Sequence, residues 1–222
     1  MNEIVKTGEK APLLQLAEWV NGSPTNLDQL IGKVVLIEVF QVNCPGCFLY
    51  SLPQAVDFYQ RYNNKGLVVL GVATAFEDFD KNTLNNLKLL IEQNRVIGET
   101  QRLLQQENQL VDGRLGYSLP FPVAMDMISN KSGNVSEQQI GALIDQHVSG
   151  FTNKSASEQQ QIHQQAQAFL ESRLFTPETF NLYQLKGTPS HLVIDKKGLL
   201  QASEFGQFPG LEALINQLLQ TE

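Results

Sequence analysis

Cys44 and Cys47 are the only cysteines in the chain, and their spacing suits one kind of chemistry. In Cys44-Pro45-Gly46-Cys47 an apolar run ends just ahead of the first cysteine and a helical pattern follows the second. Free N–H groups and the positive end of the helix dipole in a first turn stabilise a thiolate, which makes the first cysteine the nucleophile. Cys44 is that residue. Cys47, one turn on, can attack a mixed disulfide formed on Cys44 and release the reduced partner. Pro45 suits the first turn, where its missing N–H has no intrahelical acceptor. Spacing alone leaves two other readings open, a pair of inert core cysteines and half of a metal site shared between chains. An intrachain metal site lacks further ligands: His147, His163 and His191 are dispersed and form no paired motif. Neither a metal nor another cofactor is expected.

The elements that must hold this pair follow from periodicity. Gly32 launches Lys33-Val-Val-Leu-Ile-Glu-Val-Phe40, an apolar, β-branched run with the profile of a central strand. Its one carboxylate, Glu38, is either buried or on an exposed strand edge. If buried, it has a raised pKa and can exchange a proton with Cys47. Beyond Cys47, Leu49, Leu52, Val56, Tyr59 and Tyr62 recur at helical spacing, and Pro53 should kink or divide that helix. Leu67–Ala73 is a second buried strand, followed by helical stretches over roughly 81–94 and 98–110 and a third strand over Phe121–Met125, with Pro122 at its start or on an edge. Residues 12–20 read as an approach segment, with Trp19 a packing residue. His191–Asp195 and Leu199–Ser203, joined by a tight turn, predict an antiparallel hairpin. The last helix carries Leu211, Leu214, Ile215, Leu218 and Leu219 on one stripe. Strand and helix alternate, so the fold class is α/β with a mixed central sheet flanked by helices.

The 222 residues exceed what that layer needs. The excess lies over 130–180, where helices are predicted from Ser136 (capping partner Gln139), from Ser155 (partner Glu158), and from Thr176-Pro177 as cap and first residue. The chain reads as a single domain, 1–222, with this helical insertion; the insertion could be a lid, a partner-binding face, a dimer contact, or a helical pair packed on the core. Sixteen basic against 23 acidic residues give a net charge of −7, which argues against nucleic acid as a partner. Glutamines crowd 101–109 and 159–167 among apolar residues at helical intervals, as solvated helix faces do. No stretch approaches the length of a membrane span and no apolar leader follows the first lysines, so a cytoplasmic protein is the default expectation, or a periplasmic one if a signal peptide has been removed.

Taken together, Gly32–Phe40, Cys44-Pro45-Gly46-Cys47, Leu52-Pro53, Gly187-Thr188-Pro189-Ser190, Leu192–Asp195 and Gly198 resemble the thioredoxin superfamily. Within it they are similar to the TlpA-like and alkyl-hydroperoxide-reductase/redoxin-type branch. The resemblance covers about residues 10–128 and 180–222. It implies a thioredoxin-like fold with the insertion ahead of a cis-proline segment. Pro189 resembles the family's cis-proline, and with Thr188, Pro45 and Gly46 it would lie against an extended substrate segment. Glu38 stands where many thioredoxins carry a buried acid beneath the thiols. Two departures alter the surroundings of the Cys44 sulfur: Asn43 replaces the usual tryptophan, and Pro45-Gly46 reverses the usual dipeptide.

The expected function is thiol–disulfide exchange with a protein partner, Cys44 attacking and Cys47 resolving, with a thiol-based electron donor restoring the pair. A thiol peroxidase is an alternative, although Ile37 and Gln41 stand where peroxiredoxins place Pro and Thr. A third reading is a redox-sensing protein-binding module that uses the 130–180 helices. A metal-delivery role is weaker still.

Overall fold

The computed structural model describes residues 5–130, 135–148, 150–172 and 174–221. They divide into two compact units, one built from the chain up to Ile128 and from Pro177 onward, the other from Ser129–Thr176.

The first unit is organised by a six-stranded sheet. Its strands are β1 (Leu16–Asn21), β2 (Val34–Phe40), β3 (Leu67–Ala73), β6 (Val123–Asp126), β9 (Ser190–Ile194) and β10 (Leu200–Phe205), in the order β1-β6-β3-β2-β9-β10. β2 pairs in parallel with β3, which pairs in parallel with β6; β9, β10 and β1 join antiparallel. The sheet is therefore mixed, as expected. Every residue of β2 is buried because both edges and both faces are covered.

Strand alternation divides β2 between two cores. Leu36 and Phe40 pack with Cys47, with Leu52 and Phe58 of α1 (Leu52–Tyr62), and with Ile215 of α7 (Leu211–Gln220). The same layer receives Leu87 and Leu90 of α2 (Leu84–Gln93) and Leu104 of α3 (Gly98–Gln106). Val35, Ile37 and Val39 pack on the opposite face, where Phe180 of α6 (Glu178–Leu182) and Tyr183 close the layer. Fully burying a Leu or Phe side chain contributes roughly 1.5–3 kcal/mol, so these two layers supply the rigidity on which the cysteine-bearing turn is mounted.

Several boundaries differ from the sequence reading. Residues 16–21 are an edge strand rather than an approach segment; the signal is weak because β1 pairs irregularly with β6 and its exposure does not alternate. Trp19, on that strand, packs half-buried against the second core. The third strand starts at Val123, after Pro122, and is flanked by β1 and β3. The amide-rich helices are shorter, and a small hairpin of β4 (Leu110–Val111) and β5 (Arg114–Leu115) follows the second. The short helix expected from Thr176-Pro177 is present but starts one residue later: both residues end β8 (Phe175–Pro177), Pro177 takes the N-cap position, and α6 begins at Glu178. Its first free N–H groups find an acceptor in the Asp126 carboxylate, so no local capping residue was required.

β8 and β7 (Ile128–Asn130) form a two-stranded sheet. The unit Ser129–Thr176 contains α4 (Glu137–His147) and α5 (Ala156–Ser172). Ser136 and Gln139 cap α4 reciprocally, and Ser155 and Glu158 do the same ahead of α5. Ile140, Ile144 and Ala166 form the small core of this unit.

Candidate active site

Cys44 immediately precedes the helical turn that follows β2, with Pro45 as the first helical residue. Cys44 and Cys47 are joined as a disulfide, with sulfurs 2.18 Å and Cα atoms 5.4 Å apart. The Cys47 N–H donates to Cys44 Sγ at 3.2 Å, as a capping side chain would receive it. The carbonyl of Thr188 lies 3.6 Å from the same sulfur. The two sulfurs differ in access: Cys44 is half-buried, whereas Cys47 is 0% exposed.

The turn that carries them is unusual. Cys47–Ser51 is π-helical, and it gives way to α1 at Leu52 with Pro53 in the first turn. The Leu52 N–H closes the wide turn on the Cys47 carbonyl. The next bond of that pattern would come from residue 53 to the Phe48 carbonyl, and proline has no N–H to give. Tyr117 supplies the missing donor, its hydroxyl meeting the Phe48 carbonyl at 3.1 Å. Burial pushes the pKa of this phenol above its ordinary value, so the donor stays protonated. Pro53 thus divides the helix, and a side chain far along the chain repairs the gap. Beneath the turn, Phe40 meets Phe48 edge-on, with ring centroids 6.4 Å apart.

The Thr188–Pro189 bond is cis. Thr188 is fixed by Gln41, which is 1% exposed: the Thr188 hydroxyl donates to Gln41 Oε1 at 3.2 Å, and Gln41 Nε2 donates to the Glu77 carbonyl at 3.3 Å. A Cβ at Gly46 would lie 4.0 Å from Pro189 Cδ, so the helix start and the proline segment are in close apposition. Gly187 has no Cβ for a different reason. The Phe205 ring, 53% exposed, lies against its backbone where a Cβ would stand.

Two clefts meet at Gly46. One, of about 430 Å³, is lined by Cys44, Pro45, Glu77, Lys186, Thr188 and Phe205. The other, of about 460 Å³, is lined by Leu49, Tyr50, Pro189, His191, Gln207 and Phe208 and is largely apolar.

Asn43 is a clamp. Its N–H donates to Asn82 Oδ1 (2.9 Å), its amide donates to Asp78 Oδ2 (2.7 Å), and its Oδ1 accepts from Glu99 N at the start of α3 (2.8 Å). Gly98 makes room for it: with φ at +57° and Asn43 packed where a Cβ would be, only glycine fits without strain.

Glu38 is 1% exposed and sits in the centre of the sheet, so it is not on an edge. It pairs in register with His191 of β9. Glu38 Oε2 lies 2.8 Å from His191 Nδ1, and His191 Nε2 lies 2.8 Å from the Gly206 carbonyl. Glu38 Oε1 is buried without a hydrogen-bond partner among the described residues. The sequence reading singles out Glu38 but treats His191 only as one of three dispersed histidines that form no metal motif. Gln41 and Tyr117 were also missed as supports of the site. The polar Ser190-His191 start of an otherwise apolar strand was the available signal for His191. His147 and His163 lie in the second unit. Among the described residues, no group of three His, Cys, Asp or Glu side chains could hold a metal ion.

No protein-family model matches the chain. An 82-residue stretch, 36% of the chain, is 34% identical to Protein DipZ of Mycobacterium bovis and to its counterpart in Mycobacterium tuberculosis, and the matched region spans 12% of the length of those relatives. Solved structures match far more of the chain. A thioredoxin-like superfamily protein is 27% identical, with 96% of this chain and 97% of that one covered and a TM-score of 0.58. A thiol-disulfide isomerase from Corynebacterium glutamicum is likewise 27% identical, with 96% and 98% covered and a TM-score of 0.58. The sheet order, the cysteine pair at the start of the helix and these neighbours define one class. The chain is a thioredoxin-like protein with the fold of the thiol–disulfide oxidoreductases.

Proposed function

We propose that the protein exchanges disulfides with protein partners through Cys44 and Cys47, in the manner of the TlpA-like rather than the peroxide-reducing members of its superfamily. The observation that carries this reading is the unequal access of the two sulfurs. In the dithiol form the Cys44 thiolate, stabilised by the Cys47 N–H and the helix start, attacks a partner disulfide. A Cys44–partner bond forms, the partner's own disulfide breaks, and one partner sulfur leaves as thiolate. The buried Cys47 then loses its proton and attacks Cys44 Sγ. The Cys44–Cys47 bond forms, the second partner sulfur leaves, and the partner has gained two electrons. Glu38 accepts the Cys47 proton. Pro45, Gly46, Thr188 and Pro189 line the place where the partner segment would lie.

A thiol-based donor returns the two electrons to the pair. In the cytoplasm the cycle would run toward reduction of partner disulfides; in an exported setting a membrane-linked thiol donor would be needed to keep it reduced. The peroxidase alternative gains no support from the pocket: Ile37 packs in the core on the sheet face opposite Cys47, and Gln41 is engaged with Thr188.

A comparison of Cys44→Ser and Cys47→Ser in a mixed-disulfide trap tests this division of labour. The Cys47→Ser protein should accumulate covalent partner on Cys44, and Cys44→Ser should not. Equal trapping by both would sink the assignment, and the captured proteins would identify the partner class.

A further inference from the structure

The Glu38–His191 contact has a proton inventory that its geometry restricts. The Gly206 carbonyl can only accept, so the His191 nitrogen 2.8 Å from it, Nε2, must carry a hydrogen. That leaves one proton between His191 Nδ1 and Glu38 Oε2, also 2.8 Å apart. Either the pair is imidazolium and carboxylate, or it is neutral imidazole and carboxylic acid. Glu38 Oε1 takes no part in this bond and has no other partner among the described residues. Leu36 and Phe40, the neighbours of Glu38 that share its face of β2, lie in the same packed layer as Cys47. His191 forms part of the wall of the apolar cleft beside Pro189.

We propose that His191 is a positioning residue of the exchange reaction, holding the Glu38 carboxylate ionised through Oε2 so that Oε1 can take the proton of Cys47 in the resolving step. This rests on the oxidoreductase reading above. Burial by itself disfavours the imidazolium; the Glu38 hydrogen bond and charge, the Gly206 carbonyl and the charge of Glu204 outweigh it, and the pKa of His191 stands above its ordinary value. The groups around the imidazole that carry charge or exchange protons are Glu38 from β2, Glu204 opposite it on β10, and, across the cleft from the helix side, the Tyr50 phenol. The segment Gly206–Pro209 offers only a carbonyl, an amide side chain and apolar surface. Without a cation beside it, a buried carboxylate ionises only at higher pH.

Stopped-flow mixing of the reduced protein with a chromogenic aromatic disulfide separates the two steps. One aromatic thiolate is released when Cys44 attacks, and a second when Cys47 resolves. In the wild type the second phase should rise with pH through one midpoint. His191→Leu should move that midpoint up by about one pH unit or more, and His191→Gln, which keeps a donor but no charge, by less. Both should leave the pH profile of the first phase in place. Glu38→Gln should abolish the midpoint, and adding His191→Leu to it should change nothing further. If the His191 variants slow both phases equally at every pH, or if the double variant is slower than Glu38→Gln alone, His191 serves packing only and the proposal falls. Failure of the oxidoreductase reading would look different: Cys44→Ser would retain the first phase whatever stands at position 191.

Discussion

Asp126 is a carboxylate with 0% exposure whose partners are all within the fold. Its Oδ2 accepts from the Thr74 hydroxyl (2.8 Å) and Phe180 N–H (3.2 Å), and its Oδ1 from Thr179 N–H (2.8 Å). Burial pushes its pKa up, and these donors offset that only in part. The sign of the consequence follows. A carboxyl whose folded pKa is raised stabilises the fold most below the unfolded value of about 4, and that advantage fades as pH rises through the folded pKa. Asp126→Asn removes this titration and leaves one α6 amide without its acceptor, at a cost of about 1–3 kcal/mol. Urea denaturation across pH should therefore show the variant less stable than wild type, with a gap that narrows as pH rises. A gap that widens would contradict the assignment. Asp126 shows why single residues resist sequence reading: nothing adjacent to it marks a cap, because the helix it caps begins more than fifty positions away in the chain. His191 and Gln41 were hidden in the same way, each partnered with residues far along the chain, whereas the pairing of Cys44 with Cys47 depends on neighbours within one turn and could be read directly.

The element that matters most is the turn from β2 into α1. Its start was legible because the cysteines, Pro45 and the change from continuous to helical periodicity all fall within a few residues. Its π-helical character was not, since that depends on Tyr117 arriving from a distant loop to serve the carbonyl that Pro53 cannot. Tyr117→Phe keeps the ring and deletes the donor. It should cost about 1–3 kcal/mol in chemical denaturation and loosen the turn, seen as faster alkylation of Cys47 in the reduced protein. Unchanged stability would mean that the Phe48 carbonyl does not depend on this hydroxyl. β1 shows the complementary difficulty: an edge strand with an irregular register leaves little periodic trace, so a segment that completes the sheet read as a mere approach to it.

At the scale of the molecule, every group of the site comes from the first unit, and the capped helices over Ser129–Thr176 form a core of their own. Their existence was readable from the capping pairs, and their role was not. Joining Asn130 to Phe175 by a short turn should leave reduction of a small disulfide at the wild-type rate, because no site residue is removed. Any change in the set of proteins trapped on Cys47→Ser would then belong to the removed helices. Loss of small-disulfide turnover in a folded variant would instead make those helices part of the catalytic apparatus.

β2 takes its parallel neighbour from the strand that follows soon after it, but its antiparallel neighbour is β9, and Glu38 and His191 are 153 positions apart. A chain emerging from the ribosome can therefore form the cysteine turn long before Thr188, Pro189 and His191 exist to cover it. Throughout that interval one edge of the central strand is unpaired and the cleft beside Cys44 lacks the wall that Thr188 and Phe205 supply. The cleft beside Cys44 is therefore complete only when β9 and β10 have been synthesised and have docked, which makes the shape of the site one of the later products of folding.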